Sequence, residues 1–151
     1  MDKRAIGVFD SGLGGLTVVK EIRKILPNES IIYLGDTARV PYGTRSKEVV
    51  TRFSLEDAKF LLKENVKCIV VACNTASALS FDSLNKVIKI PIFEVITPAS
   101  IKVARITKTK RVGVIGTWGT ITSGAYEKKI KKEDRNVEVF SQACPLLVPL
   151  I

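Results

Sequence analysis

Histidine is absent from this 151-residue sequence, and cysteine occurs only three times. The missing histidine removes both the usual general base near neutral pH and the commonest metal ligand. The cysteines, Cys68, Cys73 and Cys144, form no Cys-x-x-Cys pair, so we expect no metal site. Any acid–base chemistry must therefore use cysteine, aspartate, glutamate, lysine or tyrosine.

Long apolar runs are also lacking, since no stretch approaches the roughly 18 apolar residues that would span a bilayer. The N-terminal segment 1–12 has a basic pair but no long apolar region, so we do not interpret it as a secretion signal. An odd number of cysteines without disulfide-type spacing is typical of reduced thiols. We therefore expect a cytoplasmic protein with no membrane partner.

Positive charge is in excess, with a net charge of +9, and much of it lies in TKTKR (107–111) and EKKIKKEDR (127–135). Such runs are typical of a solvated helix face or loop, although they could also attract a small dicarboxylate or a nucleic acid. Because no helix-turn-helix signal or aromatic residues accompany the lysines, we favour the solvated face and expect no nucleic-acid partner.

Short apolar runs alternate with helical patterns along the whole chain. We predict strands at 5–9, 30–34, 67–72, 92–96, 111–116 and 137–141. We predict helices at 17–26, from Ser46 to about 65, from about 75, from an N-cap at Thr97 to 106, and from about 123. This alternation predicts an α/β protein with a parallel sheet flanked by helices on both faces. Taken alone, it predicts a single domain with six strands.

Polar side chains follow several of these strands directly, at the sheet edge where open α/β folds bind ligands. They are Asp10 and Ser11 after the first strand, Asp36, Thr37, Tyr42 and Gly43 after the second, Cys73, Asn74 and Thr75 after the third, and Thr117 and Thr120 after the fifth. The glycines at 12, 14 and 15 match neither a dinucleotide-binding motif nor a P-loop, so they favour tight turns beside a small ligand. Composition leaves pyridoxal phosphate open as a cofactor, although no phosphate cradle is recognisable.

Cys73 occupies a distinctive position in IVVACNTAS (69–77). A free cysteine usually behaves as a small apolar residue, and we interpret Cys68 and Cys144 in that way. Cys73 instead lies between a strand and a helix, where the helix dipole is expected to lower its pKa from about 8.5 towards neutrality. With no histidine to activate the thiol, we favour proton transfer by the sulfur itself, with Asp10 as its partner.

Four separated motifs resemble the glutamate racemases of the aspartate/glutamate racemase superfamily: GVFDSGLGGLTV (7–18), YLGDTARVPYG (33–43), VVACNTASA (70–78) and GVIGTWGTITSGAY (113–126). The resemblance implies cofactor-independent interconversion of L- and D-glutamate, which supplies D-glutamate for bacterial peptidoglycan. In that family one cysteine removes the α-proton and a second, on the opposite face, returns a proton. Two similar α/β domains face each other across the site.

The resemblance makes Cys73 one of the two catalytic thiols and Asp10 a residue that tunes or assists it. It implies that the substrate is bound by Ser11, Tyr42, Gly43, Asn74, Thr75, Thr117 and Thr120. For Asp36, a loop or capping role is an equally good interpretation, and we interpret Thr37 and Arg39 as scaffold.

The sequence departs from the family in one respect, because the second thiol lies in a downstream Gly-Cys-Thr-His motif that these 151 residues do not contain. On the family template, residues 1–97 are most of a first α/β domain and residues 98–151 are the opening half of a second, incomplete one. We therefore expect no racemase activity from these residues alone. We also expect exposed apolar surface, for example LLVPLI (146–151), which would favour homo-oligomers.

Two other functions stay open. A related racemase acting on aspartate would share the thiol chemistry, and product profiling over a panel of amino acids would distinguish it. A non-catalytic binding module or truncated remnant would be distinguished by the DNA after codon 151, since a frame that continues to Gly-Cys-Thr-His would restore the enzyme.

Overall fold

The computed structural model describes residues 2–150 of the chain, and only the backbone of residues 149 and 150. The six predicted strands and five predicted helices are present, and α5 and α7 are additional: β1 Ile6–Asp10, α1 Leu16–Ile25, β2 Ile31–Gly35, α2 Lys47–Lys63, β3 Cys68–Val71, α3 Asn74–Val87, β4 Ile92–Glu94, α4 Ile96–Ile106, β5 Arg111–Gly116, α5 Trp118–Thr122, α6 Ala125–Glu133, β6 Glu138–Ala143 and α7 Leu147–Leu150. A short 3-10 turn, Tyr42–Thr44, precedes α2. None of the helices in this described range is both long and apolar enough to cross a bilayer.

The strands form two parallel sheets rather than one. The first has the order β2-β1-β3-β4, and the second pairs β5 with β6. The α/β class with a parallel sheet is therefore confirmed, whereas the six strands do not form a single sheet. The physical reason is that β4 has only three residues before the chain enters α4, and β5 finds its partner in β6. The boundary between residues 97 and 98 stays a prediction.

The first sheet has its main core on the side of α2 and α3. Phe9, Ile69 and Val71 of the sheet are fully buried there against apolar side chains of both helices. The other face is covered by α1, whose Val18, Val19 and Ile22 are only partly buried. No residue of α1 is fully buried, so this face of the sheet has thinner cover than the first.

The second sheet is covered on one face only. Val112 and Val114 point into a small core with residues of α4 and α6. The alternate positions face outward, and Ile115 is 66% exposed and Phe140 is 52% exposed. The expectation that helices cover both faces is therefore wrong for this sheet.

The start of α4 differs from the expected cap at Thr97. The helix begins at Ile96, and the buried carboxylate of Glu94 accepts hydrogen bonds from the backbone N–H groups of Ile96 and of Thr97, the latter at 2.8 Å. A carboxylate at a helix N-terminus satisfies free donors and interacts favourably with the dipole. The predicted cap at Ser46 is confirmed, since its hydroxyl oxygen accepts from the Val49 amide.

We expect the open face of the second sheet to cause self-association. Leu146 is 73% exposed and Leu147 and Val148 are also exposed, so the C-terminal segment adds to this surface; residue 151 and the side chains of 149 and 150 lie outside the described part of the chain. Replacing both Ile115 and Phe140 by serine would lower the apparent mass in light scattering, because contiguous apolar surface favours association.

Ile25→Ser is the control, since Ile25 is at least as exposed as Ile115 and Phe140 but lies on α1, which packs on the first sheet. A wild-type chain that stays monomeric at every concentration would contradict this prediction.

Candidate active site

The carboxyl ends of β1, β2 and β3 meet at one edge of the first sheet. The register pairs Asp10 with Gly35 and Phe9 with Val71, so the turn after β1 lies beside the start of α3. The Asp10 side chain is buried and accepts a hydrogen bond from the Gly12 amide at 3.0 Å. A Cβ at Gly15 would stand 2.6 Å from the Cβ of Asp10, so this close turn requires glycine.

Cys73 is the N-cap residue of α3 and is only 5% exposed. Its sulfur accepts a hydrogen bond from the Ala76 amide at 3.4 Å, and its thiol donates to Ser11 Oγ at 3.4 Å. The sulfur is therefore held between the glycine-rich turn and the first turn of α3. Two residues that are 62 positions apart in the sequence come into direct contact here.

The electrostatic surroundings of this sulfur disfavour its anion. Burial, and then the negative charge of Asp10, raise the pKa of the Cys73 thiol above its ordinary value. Hydrogen bonds with Ser11 and Ala76 act in the opposite direction but do not outweigh burial. The expected lowering of the Cys73 pKa is therefore wrong for this structure, because loss of solvent exceeds the effect of the helix N-terminus.

Tyr33 contacts the glycine-rich turn that lies beside Cys73. Its hydroxyl donates to the Gly12 carbonyl oxygen at 2.6 Å. Burial, followed by the charges of Asp10 and Cys73, raises the pKa of Tyr33 to about 12. Sequence reasoning missed this residue, although it is the first residue of the motif YLGDTARVPYG.

Three threonines, one from α3 and two from the start of α5, form a second cluster. The Thr75 and Thr117 hydroxyl oxygens are 2.9 Å apart, and those of Thr117 and Thr120 are 3.0 Å apart. Thr75 lies in the first turn of α3, whereas Thr117 is the N-cap residue of α5. Hydroxyl groups both donate and accept, so a cluster of this kind can bind a carboxylate through its donors.

A cavity of about 320 Å³ opens beside this cluster, lined by Asn74, Ile115, Gly116, Thr117, Thr120, Tyr126, Cys144, Leu147 and Val148. Asn74 is exposed, and its Oδ1 accepts a hydrogen bond from the Tyr126 hydroxyl at 2.6 Å. Cys144 lies in the loop after β6, which is one of the two simple interpretations of this residue, apolar packing or a loop, and it is half-buried and lines this cavity. Asp10, Ser11 and Cys73 form the neighbouring closed cluster and are not lining residues of the cavity.

Tyr42 and Gly43 contribute in different ways. The Tyr42 side chain is 1% exposed, and its hydroxyl lies between Asp36 and Asp57, with Asp57 Oδ2 at 2.9 Å. Its side chain is therefore not available to a ligand. A Cβ at Gly43 would stand 2.6 Å from the Thr117 Cβ, so only a glycine lets this loop backbone reach the threonine cluster.

Arg39 joins the buried Asp36 of this loop to Asp57 on α2. Its guanidinium donates to Asp36 at 2.7 Å and to Asp57 at 3.0 Å, and it also bonds Glu56. Burial is the largest of several effects that raise the pKa of Asp57 to about 6. Asp36 therefore belongs to the network that anchors Tyr42, which supports the scaffold interpretation of Arg39.

Known proteins share both the sequence and the fold. A family model described as Asp/Glu/Hydantoin racemase matches residues 6–148. A relative named glutamate racemase from Geobacter metallireducens is 58% identical over 150 residues, which cover 99% of this chain and 56% of the relative. The chain thus spans somewhat more than half the length of the curated relatives that it matches.

Solved structures agree with this match. A glutamate racemase isoform from Bacillus anthracis has a TM-score of 0.96 at 46% identity, over 100% of this chain and 57% of that one. A glutamate racemase from Francisella tularensis in complex with D-glutamate has a TM-score of 0.90 at 47% identity, over 99% of this chain and 56% of that one. The chain therefore has the fold of the part of these glutamate racemases that it matches, which is somewhat more than half of each.

The Asp57 carboxyl is expected to make stability depend on pH. Its pKa of about 6 lies above the value of about 3.9 in an unfolded chain, so the free energy of unfolding falls as pH rises from about 4 to about 6. Asp57→Asn would remove this dependence, so its free energy of unfolding relative to that of the wild type would be higher at about pH 7 than at about pH 4.5. Urea denaturation at about pH 4.5 and about pH 7 measures both quantities.

Glu56→Gln is the control, because Glu56 also bonds Arg39 but is exposed. Parallel stability profiles for wild type and Asp57→Asn would contradict a buried carboxyl with a raised pKa.

Proposed function

The chain belongs to the Asp/Glu/hydantoin racemase family, and we propose that it forms the part of a glutamate racemase that carries one of two catalytic thiols. The observation that carries the proposal is the thiol of Cys73, which is held by Ser11 and by the N-terminus of α3 beside the buried Asp10. Because the chain spans about half the length of its relatives, the complete reaction is proposed for the whole protein.

Racemisation needs only proton transfer at one carbon. Cys73, as the thiolate, takes the α-hydrogen of glutamate as a proton, and the electrons of the C–H bond stay on the substrate as a carbanion. An acid on the opposite face then returns a proton to that carbon, which inverts it. Two thiols suit this chemistry because each can act as base in one direction and as acid in the other.

The electrostatics of the cluster explain how the base is formed. A thiol in a buried site beside a carboxylate holds its proton, which agrees with the raised pKa of Cys73. The α-ammonium of glutamate brings positive charge to Asp10 and the sulfur, and an opposite charge within a few ångströms favours the thiolate. A thiolate in a negative, dry environment is also a stronger base than one in water.

Except for the buried side chain of Tyr42, the remaining candidate residues, Ser11 among them, bind the substrate. The donors of Asn74, Thr75, Thr117 and Thr120 hold a carboxylate of glutamate. Gly43 contributes backbone where its loop meets Thr117. Donors directed at the α-carboxylate also stabilise the negative charge that develops when the α-proton leaves.

The cellular role follows from the same resemblance. D-glutamate would serve peptidoglycan synthesis, and with it cell wall formation and cell shape, in the cytoplasm. The open face of the second sheet makes a homo-oligomer the proposed quaternary state.

A one-thiol site is expected to exchange the α-proton without inverting the carbon. In deuterated buffer, the 151-residue chain would incorporate deuterium into one enantiomer of glutamate, as measured by proton NMR, while the optical rotation stays constant. Cys73→Ser would reduce this exchange by roughly a hundredfold or more, the typical contribution of a general base.

Cys68→Ser is the matched control, because Cys68 lies within β3 and is only half-buried. Full inversion of glutamate that Cys144→Ser abolishes would assign the second acid to Cys144 and overturn the one-thiol assignment. Exchange that survives Cys73→Ser would overturn the role of Cys73, and a preference for aspartate would change the substrate.

A further inference from the structure

Tyr126 lies on α6, the helix that packs on the second sheet. Its hydroxyl nevertheless reaches Asn74 at the start of α3, the helix that follows β3 of the first sheet. The hydroxyl donates to Asn74 Oδ1 at 2.6 Å, a short and therefore strong hydrogen bond. Asn74 directly follows Cys73, so this contact lies one residue from the thiol. Both side chains line the cavity beside the threonine cluster.

This hydrogen bond selects one of the two orientations of the asparagine amide. A phenolic hydroxyl has a single proton, and here it is given to Oδ1. The opposite side of the amide, Nδ2, carries two N–H donors and makes no hydrogen bond within the described part of the chain. Burial, followed by the charge of Glu94, raises the pKa of Tyr126, so the hydroxyl keeps its proton in ordinary buffers.

We propose that Tyr126 is a positioning residue which fixes the Asn74 amide so that its Nδ2 donors face the cavity and bind a carboxylate group. The identity of that carboxylate as part of glutamate rests on the proposed function. Without the hydroxyl, the amide can rotate and present Oδ1, which repels an anion. The orientation of the Asn74 amide, the proposed substrate donor, thus depends on where α6 places Tyr126.

A second contact between α6 and the first sheet allows the local role of Tyr126 to be separated from general docking of the helix. Lys129 Nζ donates to Thr97 Oγ1 at 2.5 Å and to the Glu94 carboxylate at 3.3 Å. Lys129→Gln weakens the attachment of α6 but leaves the Tyr126 hydroxyl in place. It is therefore the matched control for Tyr126→Phe, which removes a single oxygen.

The experiment compares the side-chain amide signals of Asn74 in nitrogen-15 NMR spectra of the 151-residue chain. We expect restricted motion of the Asn74 side-chain N–H vectors, seen as a high order parameter from nitrogen-15 relaxation, in the wild type and in Lys129→Gln. In Tyr126→Phe we expect a lower order parameter, because the amide can then rotate about its Cβ–Cγ bond. An unchanged order parameter in Tyr126→Phe would overturn the proposal. This readout needs no ligand, so it stands even if glutamate is not the substrate.

Glutamate binding gives the second readout. Tyr126→Phe is expected to raise the dissociation constant about tenfold, as for loss of one charge-assisted hydrogen bond. The same change made in Asn74→Ala is expected to have no further effect, because Tyr126 acts through Asn74. Additive effects would assign Tyr126 a separate role and overturn the proposal, whereas failure of the wild type to bind glutamate would overturn the carboxylate assignment and the proposed function together.

Discussion

A thiol without solvent, held beside a carboxylate at the end of two parallel strands, is the constraint on which the candidate site depends. The pairing of β1 with β3 brings Ser11 and Asp10 to Cys73, and the first turn of α3 supplies an amide to the sulfur. Burial alone would keep such a thiol inert. In the proposed reaction the adjacent carboxylate attracts the ammonium group of the substrate, whose positive charge favours the thiolate.

Close contacts also hold the loop that carries Tyr42 and Gly43 in place beside the site. Gly43 can approach Thr117 only because it lacks a side chain, and Tyr42 anchors that loop through its hydrogen bonds to Asp36 and Asp57. Rigid placement of donors is what lowers the cost of binding and of charge development in a proton-transfer site.

The second sheet is less buried than the first. It has one small core, formed with α4 and α6, and an outward face on which Ile115 and Phe140 are exposed. Its contacts with the elements of the first sheet include the hydrogen bonds of Tyr126 with Asn74 and of Lys129 with Glu94, the threonine cluster and the close approach of Gly43 to Thr117. Because Asn74 and Thr75 are among these contact residues, the placement of the second sheet affects the donors beside the first.

Local sequence patterns determined the order of strands and helices, the cap at Ser46 and the collection of polar side chains at strand ends, because periodicity and capping depend on neighbours within a few residues. The four motifs determined the family. Only the tertiary structure decided that the strands divide into two sheets, that Glu94 caps α4, that Tyr126 meets Asn74 and that the pKa of Cys73 is raised. Those outcomes depend on burial and on pairings between residues far apart in the chain, which a local pattern does not encode.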